Sequence, residues 1–261
     1  MMAALWVSKT GLNAQDVALR TISNNLANVS NVGFKRDRAV FQDLLYQIQR
    51  QPGGLTSQDT ALPSGLQLGS GVQVAGTQKV FTEGTLQITE QPLDVAIDGR
   101  GFLQVQLPDG TTAYTRAGEL HLDVNGQIVT SDGHPILPAI TLPANASTVT
   151  IGTDGTVSVG VTGQAGVTQL GALQTADFIN PAGLQAIGNN LFQETGSSGS
   201  PQVGAPGSNG LGQVKQGALE TSNVSVVEEL VNMITTQRAY EMNSKVVSAA
   251  DQMLQFVTQN L

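Results

Sequence analysis

The chain has 261 residues, 40% of them hydrophobic, which is enough for one large or two modest domains with a core. A formal charge of −8 argues against general nucleic-acid binding, and the absence of cysteine removes disulfides, thiolate chemistry and zinc fingers. No stretch approaches the roughly 20 apolar residues of a membrane span. The apolar segment Met1–Val7 also lacks the charged n-region and small-residue cleavage site of a secretory signal. The expectation is a soluble protein that stays where it is made unless a dedicated export machine reads something else.

Residues 3–28 are predicted to be helical. Leu5, Leu12, Leu19 and Leu26 recur at every seventh position, supported by Val17, Ala18, Ile22 and Val29. A seven-residue apolar repeat marks a narrow seam buried against partner helices. Gly11 costs such a helix about 1 kcal/mol relative to Ala, and the stripe is too thin for the helix to stand alone. The Asn-rich run Ser23–Asn31 leads to Gly33, and both residue types tolerate left-handed backbone, so this is the expected helix exit. Lys35, Arg36 and Arg38 concentrate the positive charge of the first 50 residues. They read as a solvated turn or as a site facing the acidic part of another subunit.

Phe41, Leu44, Leu45 and Ile48 have near-helical spacing, after which Gln51–Gly71 turns into Gly, Pro, Ser, Thr and Gln. About 20 such residues are unusual inside a compact domain, so an arm that orders on neighbours is expected. The middle of the chain is β. Asp98-Gly99, Asp109-Gly110, Asn125-Gly126, Asp132-Gly133 and Asp154-Gly155 are hairpin-type dipeptides, and 93–97, 102–107, 119–124 and 149–151 read as strands between them. Such spacing suggests a meander, sandwich or small barrel. The β reading continues through 168–193, and Gly196–Gly212 reads as a second linker.

The terminal helix is expected from Ser225 to Asn260, roughly 50 Å long at 1.5 Å per residue. Val226, Met233, Tyr240, Val247, Leu254 and Leu261 repeat at sevenths, and Ser225 with Glu228 fits a capping box. The charged residues Glu228, Glu229, Arg238, Glu241 and Lys245 form a solvated face with a net negative sign. Neither terminal helix can bury its seam alone, so the two ends are expected to meet.

Nothing in the sequence argues for catalysis. His121 and His134 are isolated, and the turn aspartates have a structural reading ahead of glycine. Gly99-Arg100-Gly101-Phe102 lacks the third glycine and the helix of a dinucleotide fingerprint.

Three motifs together resemble one family. The run from Ser23 to Arg36 resembles the N-terminal signature of bacterial flagellar rod and hook axial proteins, and Glu220–Lys245 resembles their C-terminal signature. Pro92–Phe102 and Tyr114–Gly118 match between them, so the resemblance spans essentially the whole chain. Within the family the chain is most similar to the distal rod type. It is too short for the outer β domain that hook members add, and Tyr46–Gly65 resembles the arm that marks the distal rod. The proximal rod paralogue is the nearest alternative. A coiled-coil/β fibre or adhesin, forming closed trimers, and a β-rich carbohydrate-active enzyme, monomeric with a carboxylate pair in a cleft, are the readings from other classes.

The resemblance implies an α+β fold in which N- and C-terminal helices pair as a coiled coil, with a connector arm and an inserted all-β domain. Residues 1–32 and 222–261 would form the inner tube, 33–85 and 196–221 the connector, and 86–195 the outer domain. The self-assembly seam would be Leu5, Leu12, Leu19, Leu26, Val226, Met233, Tyr240, Val247 and Leu254. The N-terminal motif would be Asn24, Asn25, Asn28, Gly33, Phe34 and Lys35; the C-terminal motif would be Asn223, Gln237, Arg238, Tyr240 and Glu241. The implied function is structural: a helical tube crossing the periplasm, enclosing an export channel and passing motor torque to the hook. Implied partners are the chain itself, proximal rod proteins, the hook or hook–rod junction, P- and L-ring proteins, a rod cap and the flagellar type III export apparatus. Export would need no cleaved signal. No cofactor, metal, nucleic acid or small-molecule substrate is implied.

Overall fold

The computed structural model describes residues 2–51, 55–57, 60–61, 64–162 and 166–259. Pro52, Gly53, Leu62 and Pro63 of the expected arm, and Asn260 and Leu261 at the end of the terminal repeat, lie outside the described residues. The fold class is α+β, with a long helix at each end of the sequence and a β-rich region between them. The chain divides into two compact units, one of residues 1–27, 37–78 and 225–261, the other of residues 28–36 and 79–224.

In the first unit, helix α1 (Met2–Ala27) packs against helix α2 (Val226–Gln259). The Ser225 hydroxyl accepts the Glu228 N–H in a long 3.5 Å contact, and the Ser225 carbonyl accepts the Glu229 N–H at 3.0 Å. Two glutamates in the first turn of α2 also complement the positive end of the helix dipole. Between the helices in sequence, Asp37–Asp43 pairs with Val72–Lys79, and Tyr46–Arg50 pairs antiparallel with Leu66–Gly69. The near-helical spacing of Phe41, Leu44, Leu45 and Ile48 therefore misleads. These residues lie in or beside strands, because a later segment supplies the hydrogen-bond partners that an isolated run lacks.

The second unit is built on a seven-stranded antiparallel sheet. Its spatial order is Gln185–Gly188, Leu191–Gln193, Thr112–Thr115, Phe102–Gln106, Thr175–Asp177 and Gln202–Gly204, with Ile136–Leu137 also pairing on Phe102–Gln106. Phe102–Gln106 is covered on both faces, so its first four residues are all buried. Period-two geometry sends Phe102 into an aromatic cluster with Tyr114, Phe178 and Phe192. Leu103 goes the other way, into an aliphatic core with Val95, Ile97, Ile128, Val157 and Val214. A three-stranded sheet, Ala146–Ile151, Thr156–Val161 and Val167–Ala172, covers part of that core.

Four of the five hairpin dipeptides turn the chain as expected, with φ between +77° and +84° at Gly110, Gly126, Gly133 and Gly155. Asp98-Gly99 does not. Val95–Asp98 pairs with Gln213–Gln216 near the end of the unit, and a Cβ on Gly99 would meet Gly212 Cα at 2.8 Å. The expected linker Gly196–Gly212 is folded into the unit. Gln202–Gly204 is an edge strand, Ser198 is buried, and the Gly212 N–H donates to the Arg100 carbonyl at 2.6 Å. Its Gly, Ser and Pro content serves tight turns rather than flexibility.

Candidate functional site

The two helices meet along a line that the leucine row only partly describes. Leu5, Leu12, Leu19 and Leu26 are half-buried, and the buried α1 positions are Ser8, Ala14, Ile22 and Asn25. On α2, Met233, Val247 and Leu254 are half-buried, whereas Val226 and Tyr240 remain about 40% exposed (41% and 42%). The other half of the α2 seam, three residues after each apolar seventh, is Glu229, Thr236, Asn243 and Ala250, all buried or half-buried. These are small or polar, so a search for apolar sevenths passes over them. Gly11 belongs to this contact. A Cβ there would meet the Asn243 side-chain amide nitrogen at 3.0 Å, so the helix-weakening glycine makes room for that side chain.

The opposite side of α2 is apolar near its start and polar further along, and several of the apolar side chains of α2 are exposed. Val227, Leu230, Val231, Ile234, Met242, Val246, Met253 and Phe256 are exposed. At 100° per residue Val227, Leu230, Val231 and Ile234 fall on the face turned away from Glu229 and Thr236, and Arg238, Glu241 and Lys245 follow them on that face, whereas Val246 and Met253 flank Asn243 and Ala250. Gln237, Arg238 and Glu241 are exposed too, so within one chain they make no part of the buried seam.

Asn25 fixes the N-terminal end of α2 to the first unit. Its amide donates to the Asp37 carbonyl at 2.9 Å and to Glu229 Oε1 at 3.3 Å, and its Oδ1 accepts the Asp37 N–H at 2.8 Å. Asn25 and Glu229 are both buried, which explains why a glutamate sits in the seam. Asn24 is exposed beside it.

The rest of the N-terminal motif lies in the second unit. Asn28 accepts the Asn31 amide at 3.4 Å. Gly33 has φ +70°, and a Cβ there would meet the Ala117 nitrogen at 2.5 Å and the Arg116 carbonyl carbon at 2.7 Å. Phe34 is buried under the Lys79 ammonium, 5.2 Å from the ring centroid. Lys35 corrects the expectation of a solvated turn. Its side chain is 0% exposed and donates to Glu220 Oε1 at 2.6 Å and to the Thr82 carbonyl at 2.7 Å. Lysine is almost never buried without a partner, so the composition-based reading of a basic turn fails here because the partner lies far away in sequence.

Glu220 is the hub of this centre. Besides Lys35 it faces the Arg116 guanidinium at 3.4 Å, and its Oε1 accepts the Gly84 N–H at 2.9 Å. Its main-chain carbonyl accepts the Gly33 N–H at 2.8 Å. Arg116 is itself held by the Ile97 and Gly99 carbonyls at 3.1 and 2.7 Å. Burial pushes the Lys35 ammonium below its ordinary value, and Arg116 adds to this; the Glu220 carboxylate pulls the other way. Asn223 extends the network. Its Oδ1 accepts the Arg36 N–H at 2.8 Å, and its amide donates to the Val80 and Thr82 carbonyls at 2.8 and 3.1 Å. Sequence reasoning had placed Lys35 and Asn223 in motifs but missed Arg116 and Glu220 as their counterparts. The available signal was that both lie inside the other two matching segments.

Comparison with known proteins finds three matching stretches of the chain. Residues 5–35 match the family described as flagella basal body rod protein, residues 96–159 match flagellar hook protein FlgE/F/G D1 domain, and residues 215–260 match flagellar basal body rod FlgEFG protein C-terminal. Each of the three contributes one charge to the buried centre: Lys35, Arg116 and Glu220. The chain is 56% identical over 259 residues to flagellar basal-body rod protein FlgG of Buchnera aphidicola subsp. Schizaphis graminum, covering 99% of this chain and 100% of that one. It is 48% identical over 259 residues to the protein of that name from Caulobacter vibrioides, covering 99% of each. For the Borreliella burgdorferi protein of the same name the identity is 47% over 256 residues, covering 97% of each.

Proposed function

The chain belongs to the flagellar basal-body rod protein FlgG family, and from that membership we propose that it polymerises into the distal rod, a rigid helical tube that crosses the periplasm. As a family member it is a structural subunit of the flagellar basal body. In the proposed assembly the terminal helices form the inner wall as a coiled coil around an export channel. The inner, connector and outer layers are 1–32 with 222–261, 33–85 with 196–221, and 86–195. Torque passes along the tube from proximal rod proteins to the hook, with P- and L-ring proteins as the bushing and a rod cap at the growing end. Subunits arrive through the type III export apparatus.

The observation that carries this reading is the exposed apolar patch of Val227, Leu230, Val231 and Ile234 on α2. A helix packed on α1 along one side and apolar in the first turns of the other leaves a surface that water disfavours and that a second copy covers. One repeated heterologous contact then builds an open helical array rather than a closed ring. Val226 and Tyr240, half-exposed in one chain, become buried between copies, and Arg238 and Glu241 make polar contacts there. The hairpin of Tyr46–Arg50 with Leu66–Gly69 exposes Tyr46, Ile48, Leu66 and Leu68 beside Leu45. Wedged between outer domains of neighbouring copies, it opposes the sliding that bends a hook.

Electron cryo-microscopy of the purified protein, concentrated until it polymerises and compared with basal bodies of the source cell, tests the assembly. A straight tube with helical density for both termini around a narrow lumen is expected. Closed trimers, or a stable monomer whose α2 patch is covered by its own chain, overturn the reading.

A further inference from the structure

Three ionised side chains from distant parts of the sequence share one dry space in the second unit. Lys35 and Glu220 are 0% and 1% exposed, and Arg116 is 4% exposed. Two cations thus depend on one anion, which lies 185 positions after Lys35. Without that anion, two like charges remain buried together, the arrangement that costs most in a low-dielectric interior. Glu220 also holds the Gly33 and Gly84 N–H groups, so the seats of 33–36 and 82–84 both close on it. The helices continue directly from this region, α1 into 28–36 and 220–224 into α2.

We propose that the Lys35–Arg116–Glu220 centre is a completion lock, in which the segments joining the terminal helices to the β unit are seated only after the C-terminal anion has arrived. A chain that has not yet brought Glu220 into place keeps Lys35 and Arg116 repelling each other. The segment 28–36 then stays unseated even when the seven-stranded sheet has formed. The lock thereby ties readiness of both helical ends to completion of the chain. This deepens the rod-subunit reading and rests on it only for the link to assembly.

The test is hydrogen exchange on the full chain with Glu220→Gln, which keeps the shape and removes the charge. Amides of 33–36 and 82–84 should lose protection by about 100-fold or more, as expected for breaking a buried pair, while Phe102–Gln106 stays protected. The combination Lys35→Met, Arg116→Leu and Glu220→Met removes all three charges together and should restore protection at 33–36, though not at Gly84, whose N–H loses its acceptor. Native protection at 33–36 in Glu220→Gln overturns the lock. So does loss of protection throughout the β unit, which would make Glu220 a general stability residue, and so does a triple variant as open as the single one. Assembly of the same variants separates the two readings. If Glu220→Gln opens the junction yet polymerises like the native chain, the link to assembly is wrong and the rod reading stands. If the native chain fails to polymerise while the exchange pattern holds, the rod reading is wrong and the junction chemistry stands.

Discussion

Lys35 places a titratable group where pH reaches stability. Its folded value is lowered from the ordinary 10.5, so between that lowered value and 10.5 the unfolded chain binds more protons than the folded one. Stability from this group therefore rises with pH as 10.5 is approached from below. Urea unfolding across alkaline pH should show the native chain gaining on Lys35→Met over that range; parallel curves would refute it. Gly33 is a second residue-scale point. With φ +70° and backbone atoms of Arg116 and Ala117 against its α-carbon, Gly33→Ala combines left-handed strain with a main-chain clash. A loss of at least ~1 kcal/mol in thermal or urea unfolding is expected. Its need for glycine was legible in the Asn-rich exit, but the reason was not. A turn residue shows in local sequence, whereas the segment it lies against is some 80 positions away. The same holds for Lys35, whose burial depends wholly on groups that local pattern cannot see.

At the scale of elements, α2 has two faces with opposite fates. Ile234→Glu alters the uncovered face, so the isolated chain should melt at its native temperature while polymerisation is lost. A melting temperature that falls together with assembly would show that Ile234 supports the single chain instead. In the β unit, Leu103→Ala removes a fully buried side chain from the aliphatic core and should cost about 2–5 kcal/mol, read by urea unfolding. The seven-residue repeat made both helices legible, and their limits came within a residue or two of expectation. Half of the seam stayed hidden because Glu229, Thr236, Asn243 and Ala250 are small or polar and are justified only by what faces them. The strands of 37–50 were hidden for a related reason. Their apolar residues are half-buried or exposed with no alternation between the two, so no inside-outside pattern was there to read, and spacing alone mimicked a helix. The turns at Gly110, Gly126, Gly133 and Gly155 were legible because a positive φ is written directly into the residue pair.

For the whole molecule, the α+β class followed from helices at the ends and hairpin signals between them. The division into units did not follow from composition. The Gly- and Ser-rich stretch at 196–212 folds into the β unit, and 37–78 groups with the helices. Removing the hairpin, residues 46–71, should leave polymerisation intact but yield curved or bending tubes by electron microscopy. An unchanged straight rod would remove its proposed mechanical part.

The chain passes between its two units four times, after residues 27, 36, 78 and 224. The helical unit is therefore joined to the β unit by four backbone segments rather than by a single tether. On the β side those backbones are cross-bonded within a few residues by Lys35, Glu220 and Asn223. Within the β unit those hydrogen bonds must shear before residues 33–36, 80–82 and 220–223 can part, so a pull on any one of these segments is shared with the others.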